Sequence, residues 1–179
     1  MKKRILLLVL SISVLCTGIL CSCGISRLSI KKFTATMKEY DEDLVLTEQS
    51  DGTFTYEDTS SIDPVKYCIT GSENKISKIQ IISLNLSKKD LTIDQFSTSF
   101  AKAMSGNSGS LSMMDIRRNS CYVRALRLFD LLLKDSTTEN MTLQNYAEYI
   151  VYEKSISENG WTISFSIQND SVSMTAELI

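Results

Sequence analysis

From Trp161 to Leu178 the chain alternates apolar and polar residues with a period of two, and no other stretch constrains the fold as tightly. Trp161, Ile163, Phe165 and Ile167 alternate with Thr162, Ser164, Ser166 and Gln168. Val172, Met174, Ala176 and Leu178 repeat the pattern. That period belongs to strands with one buried face. A turn centred on Asn169-Asp170 sets Ile167 opposite Val172, Phe165 opposite Met174, Ile163 opposite Ala176 and Trp161 opposite Leu178. A slip of one residue would turn the apolar set to solvent, so the pattern fixes the register. The partner face is rich in hydroxyls and is expected to be wet.

Other segments supply more strands and the helices to cover them. Asn159-Gly160 is a two-residue turn signal that allows a short strand at Ser155–Glu158. Asp51-Gly52 precedes Phe54 and Tyr56, Pro64 opens a strand with Val65, Tyr67 and Ile69, and Gly71-Ser72-Glu73-Asn74 turns into Ile76–Leu86. The last run changes apolar parity near Ile81-Ile82, which predicts a bulge there. Helical spacing links Ile30, Phe33, Met37 and Tyr40, then Phe96, Phe100 and Met104. A longer helix is expected from Ser112 to Lys134, with Met114, Cys121, Tyr122, Ala125, Phe129 and Leu132 on one stripe and a Ser112–Asp115 capping pair at its start. Leu143, Tyr146 and Ile150 mark a further helix around Thr142–Tyr152. The expected fold is α+β: a single antiparallel sheet of about five strands, a three-strand meander plus the C-terminal hairpin, backed by helices.

The first residues read as an address. Lys2, Lys3 and Arg4 precede an uncharged apolar run from Ile5 to Leu20, too short for a comfortable membrane span. The run ends Leu20-Cys21-Ser22-Cys23-Gly24, which resembles the lipobox of bacterial lipoproteins: an aliphatic residue three before the modified cysteine and a small residue directly before it. The resemblance covers the leader alone. It implies that residues 1–22 are a signal peptide, that 23–179 form one domain, and that Cys23 carries lipid after export. Lipoproteins of this class carry more than one acyl chain, which makes for stable anchoring to the cell membrane, or to the outer membrane in a Gram-negative organism. Almost no linker separates Cys23 from the first helix, so the domain is expected close to the membrane.

Removing residues 1–22 leaves 157 residues, a normal size for one core. It also removes three bases, leaving 16 against 21 acids, so nucleic acid is not an expected partner. The remaining charge is segregated. Nine acids and no base lie between Glu39 and Asp63, eleven bases and five acids between Lys66 and Lys134, and seven acids with Lys154 follow. Packing of the acidic ends beside the basic middle is the expected arrangement, ahead of a basic face turned to an anionic bilayer.

Candidate chemistry is sparse. The chain has no histidine and no Cys-x-x-Cys after the leader, so no metal site and no cofactor are expected. Cys68 shares strand parity with Lys66 and Thr70, away from Tyr67, whereas Cys121 lies on a helix's apolar stripe; no disulfide is expected between them. Arg117, Arg124 and Arg127 fall on one side of the long helix, opposite the apolar stripe. They are candidates for anion or lipid contact, set against the plainer reading of a solvated face. Arg118 projects into the stripe, which calls for a pairing carboxylate or a helix break near Asn119-Ser120, and the break is the expectation. Asp41, Glu42 and Asp43 lack the spacing of a calcium loop, and Ser105–Ser110 lacks the Gly-Lys-Ser/Thr ending of a phosphate loop. No catalytic residue is assigned. The sequence therefore points to a membrane-anchored, non-enzymatic domain binding a protein or cell-envelope component. A binder of a small or lipidic ligand is the alternative, and a carboxylate-dependent hydrolase the third reading.

Overall fold

A computed structural model describes residues 28–179. The leader, the lipobox and Cys23 lie outside them. Seven strands form one wholly antiparallel sheet: β1 (Thr47–Glu48), β2 (Thr53–Asp58), β3 (Val65–Ser72), β4 (Lys75–Leu84), β5 (Ser155–Glu158), β6 (Trp161–Gln168) and β7 (Ser171–Leu178). Their spatial order is β1-β2-β3-β4-β7-β6-β5. The helices are α1 (Ile30–Met37), α2 (Ile93–Met104), α3 (Met113–Leu132), α4 (Asp135–Thr138) and α5 (Leu143–Val151). The α+β class holds, but the sheet has seven strands rather than about five. The two additions are its edges. Thr47–Glu48 is too short for any periodicity to register, and Ser155–Glu158 pairs with β6 across the Asn159-Gly160 turn. Both residues of that turn have positive φ, 52° and 75°, as a two-residue hairpin of matching twist requires.

The closing hairpin takes the expected register throughout, from Ile167 opposite Val172 to Trp161 opposite Leu178. The bulge lies elsewhere. Thr70 pairs with Lys78 and Gly71 with Ile76, so Ser77 is the extra residue, and the buried positions of β4 become Ile76, Ile79, Ile81 and Ser83. Ile82 sits half-buried on the opposite face. Gly71 makes this possible: its φ is 143°, and an added Cβ would lie 2.3 Å from the Lys75 carbonyl oxygen. The bulge belongs at the hairpin end because only a glycine there lets the strands approach so closely.

The helices cover the apolar face. Phe33 of α1 meets Tyr67 edge-on, Phe129 of α3 stacks on Phe165 with ring centroids 5.8 Å apart, and Tyr146 of α5 packs against Phe129. Trp161 is buried in the same layer. Capping sets the helix starts: Ser29 and Thr92 each accept a backbone N–H three residues on, while Ser112–Asp115 and Thr142–Asn145 form reciprocal boxes. The other sheet face is polar. One row runs Thr47, Thr55, Cys68, Gln80, Thr175, Ser164, Ser155 across all seven strands, every residue half-buried or exposed. Cys68 and Cys121 are both free, one on each side of the sheet.

The segregated charge is reconciled by folding. Lys66–Glu57, Lys78–Glu177, Lys88–Glu153, Arg127–Glu39 and the two carboxylate partners of Arg124 all link the basic middle to an acidic end.

Candidate functional site

The arginine stripe of α3 is the natural starting point, and its three members have three different fates. Arg117 is spent on backbone: its Nε donates to the Ile62 carbonyl at 3.2 Å and its Nη2 to the Ser61 carbonyl. Arg127 forms an exposed ion pair with Glu39 at 3.1 Å. Arg124 is 1% exposed. The solvated face expected for all three therefore fails at Arg124, whose side chain points into the protein.

Two carboxylates meet it there. Arg124 Nε and Nη2 donate to Asp41 at 3.2 and 2.9 Å, and Nη1 and Nη2 donate to Asp63 at 3.0 and 2.6 Å. Both contacts are bidentate, the geometry that suits a planar guanidinium. The Tyr40 ring lies 5.5 Å from the guanidinium carbon, and the Tyr40 hydroxyl donates to Ser120. Tyr67 donates its hydroxyl to Asp41. Burial alone would lower the pKa of Arg124, but the hydrogen bonds and charges of Asp41 and Asp63 outweigh it and hold the guanidinium protonated. Burial raises Tyr67, and Asp41 raises it further, so it stays a phenol that donates. The cluster clasps α3 to the turn after α1 and to the loop between β2 and β3. Asp41 is thus drawn out of the acidic triplet, leaving Glu42 and Asp43 exposed. Its sequence signal was faint: Ser120 and Cys121, one turn before Arg124, are small enough to admit neighbouring segments.

A second cluster, built on the buried carboxylate of Asp115, joins α2 to α3. Asp115 accepts from Ser99 at 2.9 Å, Ser112 Oγ at 2.8 Å, Lys102 at 3.2 Å and, at a longer 3.4 Å, Arg118. Burial opposes its ionisation, yet the hydrogen bonds from Ser112, Ser99 and Lys102 hold it well below the usual carboxylate range. Arg118 also donates from Nε to the Asp90 carbonyl at 2.8 Å. The helix is unbroken at Asn119-Ser120, so the expected break is replaced by the other solution, a pairing carboxylate reached one turn back along the same helix.

Strand direction gives the domain two ends. At one lie the β1–β2, β3–β4 and β5–β6 turns. Here the chain enters: Ile76 N–H donates to the Leu28 carbonyl and Ile30 N–H to the Glu73 carbonyl, each at 2.9 Å. A half-open groove of about 470 Å³ sits beside this entry, with Ile30, Leu46 and Phe54 as its apolar lining and Lys31, Glu73 and Asn74 at its edge. At the opposite end lie the β2–β3 loop and the β6–β7 turn. There Ile62 is 53% exposed, and Arg117 fastens its carbonyl to the first turns of α3, where Met113 is 49% exposed. Met104, which closes α2 before the loop leading into α3, is 72% exposed.

Cys23, the expected lipid attachment site, lies outside the described residues. Among the described residues no group of three His, Cys, Asp or Glu side chains is placed to hold a metal ion, and no helix is long and apolar enough to cross a membrane. Comparison with protein-family models, with curated proteins and with solved structures finds no match to the chain.

Proposed function

We propose that this protein is an exported lipoprotein, held on the cell membrane through lipid on Cys23, whose α+β domain binds a protein or envelope component. The observation that carries the proposal is the division between the two ends of the sheet. The chain is fastened at Leu28 and Ile30 at one end, whereas at the other the bonds from Arg117 to the Ser61 and Ile62 carbonyls bring Ile62, 53% exposed, to the first turns of α3, where Met113 is 49% exposed. Adjoining exposed apolar side chains suit a partner surface. The clasp at Arg124 supports the reading, because it fixes the loop bearing Ile62 to α3 and keeps that surface in one shape before a partner arrives.

The test joins address and surface. Metabolic labelling with a radioactive fatty acid is expected to mark the wild-type chain and not Cys23→Ala. Cross-linking of the lipidated protein in its own membrane is expected to yield a discrete adduct that Ile62→Glu with Met113→Glu abolishes without releasing the protein from the membrane. Unchanged fatty-acid label in Cys23→Ala refutes the anchor, and an adduct indifferent to the double variant refutes the surface.

A further inference from the structure

We infer that the groove at the tethered end seats a bilayer aminophospholipid, its apolar part over Ile30, Leu46 and Phe54 and its headgroup between Lys31 and Glu73. The inference rests on the reading of Cys23 as the lipidated residue, and it adds a second, non-covalent lipid contact to the covalent one.

Reach makes the first argument. Leu28 is buried and bonded through its carbonyl to Ile76, so the fold begins there in a fixed place. Cys23 lies five residues earlier. Five residues span at most about 17 Å even fully extended. The strands themselves are longer than that: the ten residues of β4 cover roughly 33 Å. A domain on so short a tether cannot turn its far end to the membrane. The groove, whose wall begins at Ser29, Ile30 and Lys31, is held within the same short distance of the bilayer surface.

Chemistry makes the second. Phe54 is buried and Leu46 and Ile30 half-buried, so the groove sets aliphatic and aromatic surface beside the polar side chains of Ser29, Lys31, Glu73 and Asn74. Its lining includes one cation and one anion, Lys31 and Glu73, carried on segments that the bond from Ile30 N–H to the Glu73 carbonyl joins. Neither side chain is in an ion pair among the described residues. An aminophospholipid headgroup has the complementary pair, a phosphate for Lys31 and an ammonium for Glu73. A purely anionic headgroup would satisfy Lys31 and be repelled by Glu73.

The test uses the full lipidated protein in vesicles of phosphatidylethanolamine and phosphatidylglycerol, doped with a phosphatidylethanolamine that carries a diazirine near its headgroup. After irradiation, label is expected on peptides containing Ile30, Leu46 and Phe54. Leu46→Glu, a change at a half-exposed site, is expected to lower that label about tenfold, since it removes a buried leucine contact. Lys31→Glu, fully at the surface, is expected to lower it as well with no change in thermal melting. The same diazirine on phosphatidylglycerol is expected to label these peptides less. Label spread evenly, label at the Ile62 end, equal labelling by both probes, or indifference to both variants overturns the inference while Cys23 still carries fatty acid. Absence of fatty acid on Cys23 overturns it together with the anchoring reading.

Discussion

Replacing Arg124 by methionine tests the energetics of the clasp directly. Methionine keeps most of the aliphatic stem's volume, so the substitution removes charge and donors more than packing. It leaves Asp41 and Asp63 facing each other with side chains only 11% and 21% exposed. Four donor contacts between 2.6 and 3.2 Å disappear at once. Counting those bonds individually would overstate the loss, because the intact pair already bears the cost of taking three charges out of water. Measured cases of breaking a buried pair by removing one partner cluster at about 3–5 kcal/mol. With a urea slope of roughly 2 kcal/mol per molar, the midpoint should fall by about 2 M. A thermal midpoint should fall by roughly 10 °C at about 2–4 °C per kcal/mol for a domain of this size. The companion variant Arg124→Met, Asp41→Asn, Asp63→Asn removes the orphaned charges and is expected to recover more than half of the loss. A single variant within about 1 kcal/mol of wild type would refute the reasoning, because it would mean that the carboxylates remain hydrated. So would a triple variant no better than the single one.

Two further predictions concern ionisation. Both cysteines should be alkylated in denaturant without prior reduction, but in the native protein Cys68 should react and Cys121 should not, because burial pushes the Cys121 thiol up to about 12 against the opposing pull of Ser83 and Arg124. Intact mass under the two conditions decides it, and a pair labelled only after reduction would contradict the structure. Asp115 is held below its unfolded value of about 3.9, so its contribution is present above that pH and is lost as pH falls toward its folded value. Asp115→Asn should therefore be less stable than wild type near pH 7, with the gap beginning to narrow only as pH falls below about 3.9, read from urea midpoints; a difference that stays constant with pH through that range would refute the assignment.

The sequence made local features legible and hid those assembled across distance. The β6–β7 register followed from side-chain alternation, and the Ser112–Asp115 box from a three-residue spacing. Both are short-range rules that the tertiary structure did not override. The bulge was misplaced because Ile81-Ile82 breaks parity as visibly as Ile76–Ile79 does, and only the close approach at Gly71 decides between them. Arg118 found its carboxylate three residues back, a pairing that the spacing allowed. Arg124 was beyond reach for a different reason. Its partners lie 83 and 61 residues away, and a helical wheel cannot show that loops from elsewhere cover the polar side of a helix. The grouping of Ile62 with Met113 depends on the same long-range docking.

The order of strands has a consequence for how such a chain assembles. β1 to β4 are joined by short turns, as are β5 to β7, so each half can form from neighbours in the chain. The halves meet only at β4 and β7, with every helix from α2 to α5 between them in sequence. Until β7 emerges, β4 is an open edge carrying Ile79 and Ile81, and its closure spans the longest loop in the sheet. Joining the two halves is then expected to be the slow step of folding and the moment of greatest exposure to mispairing with another chain.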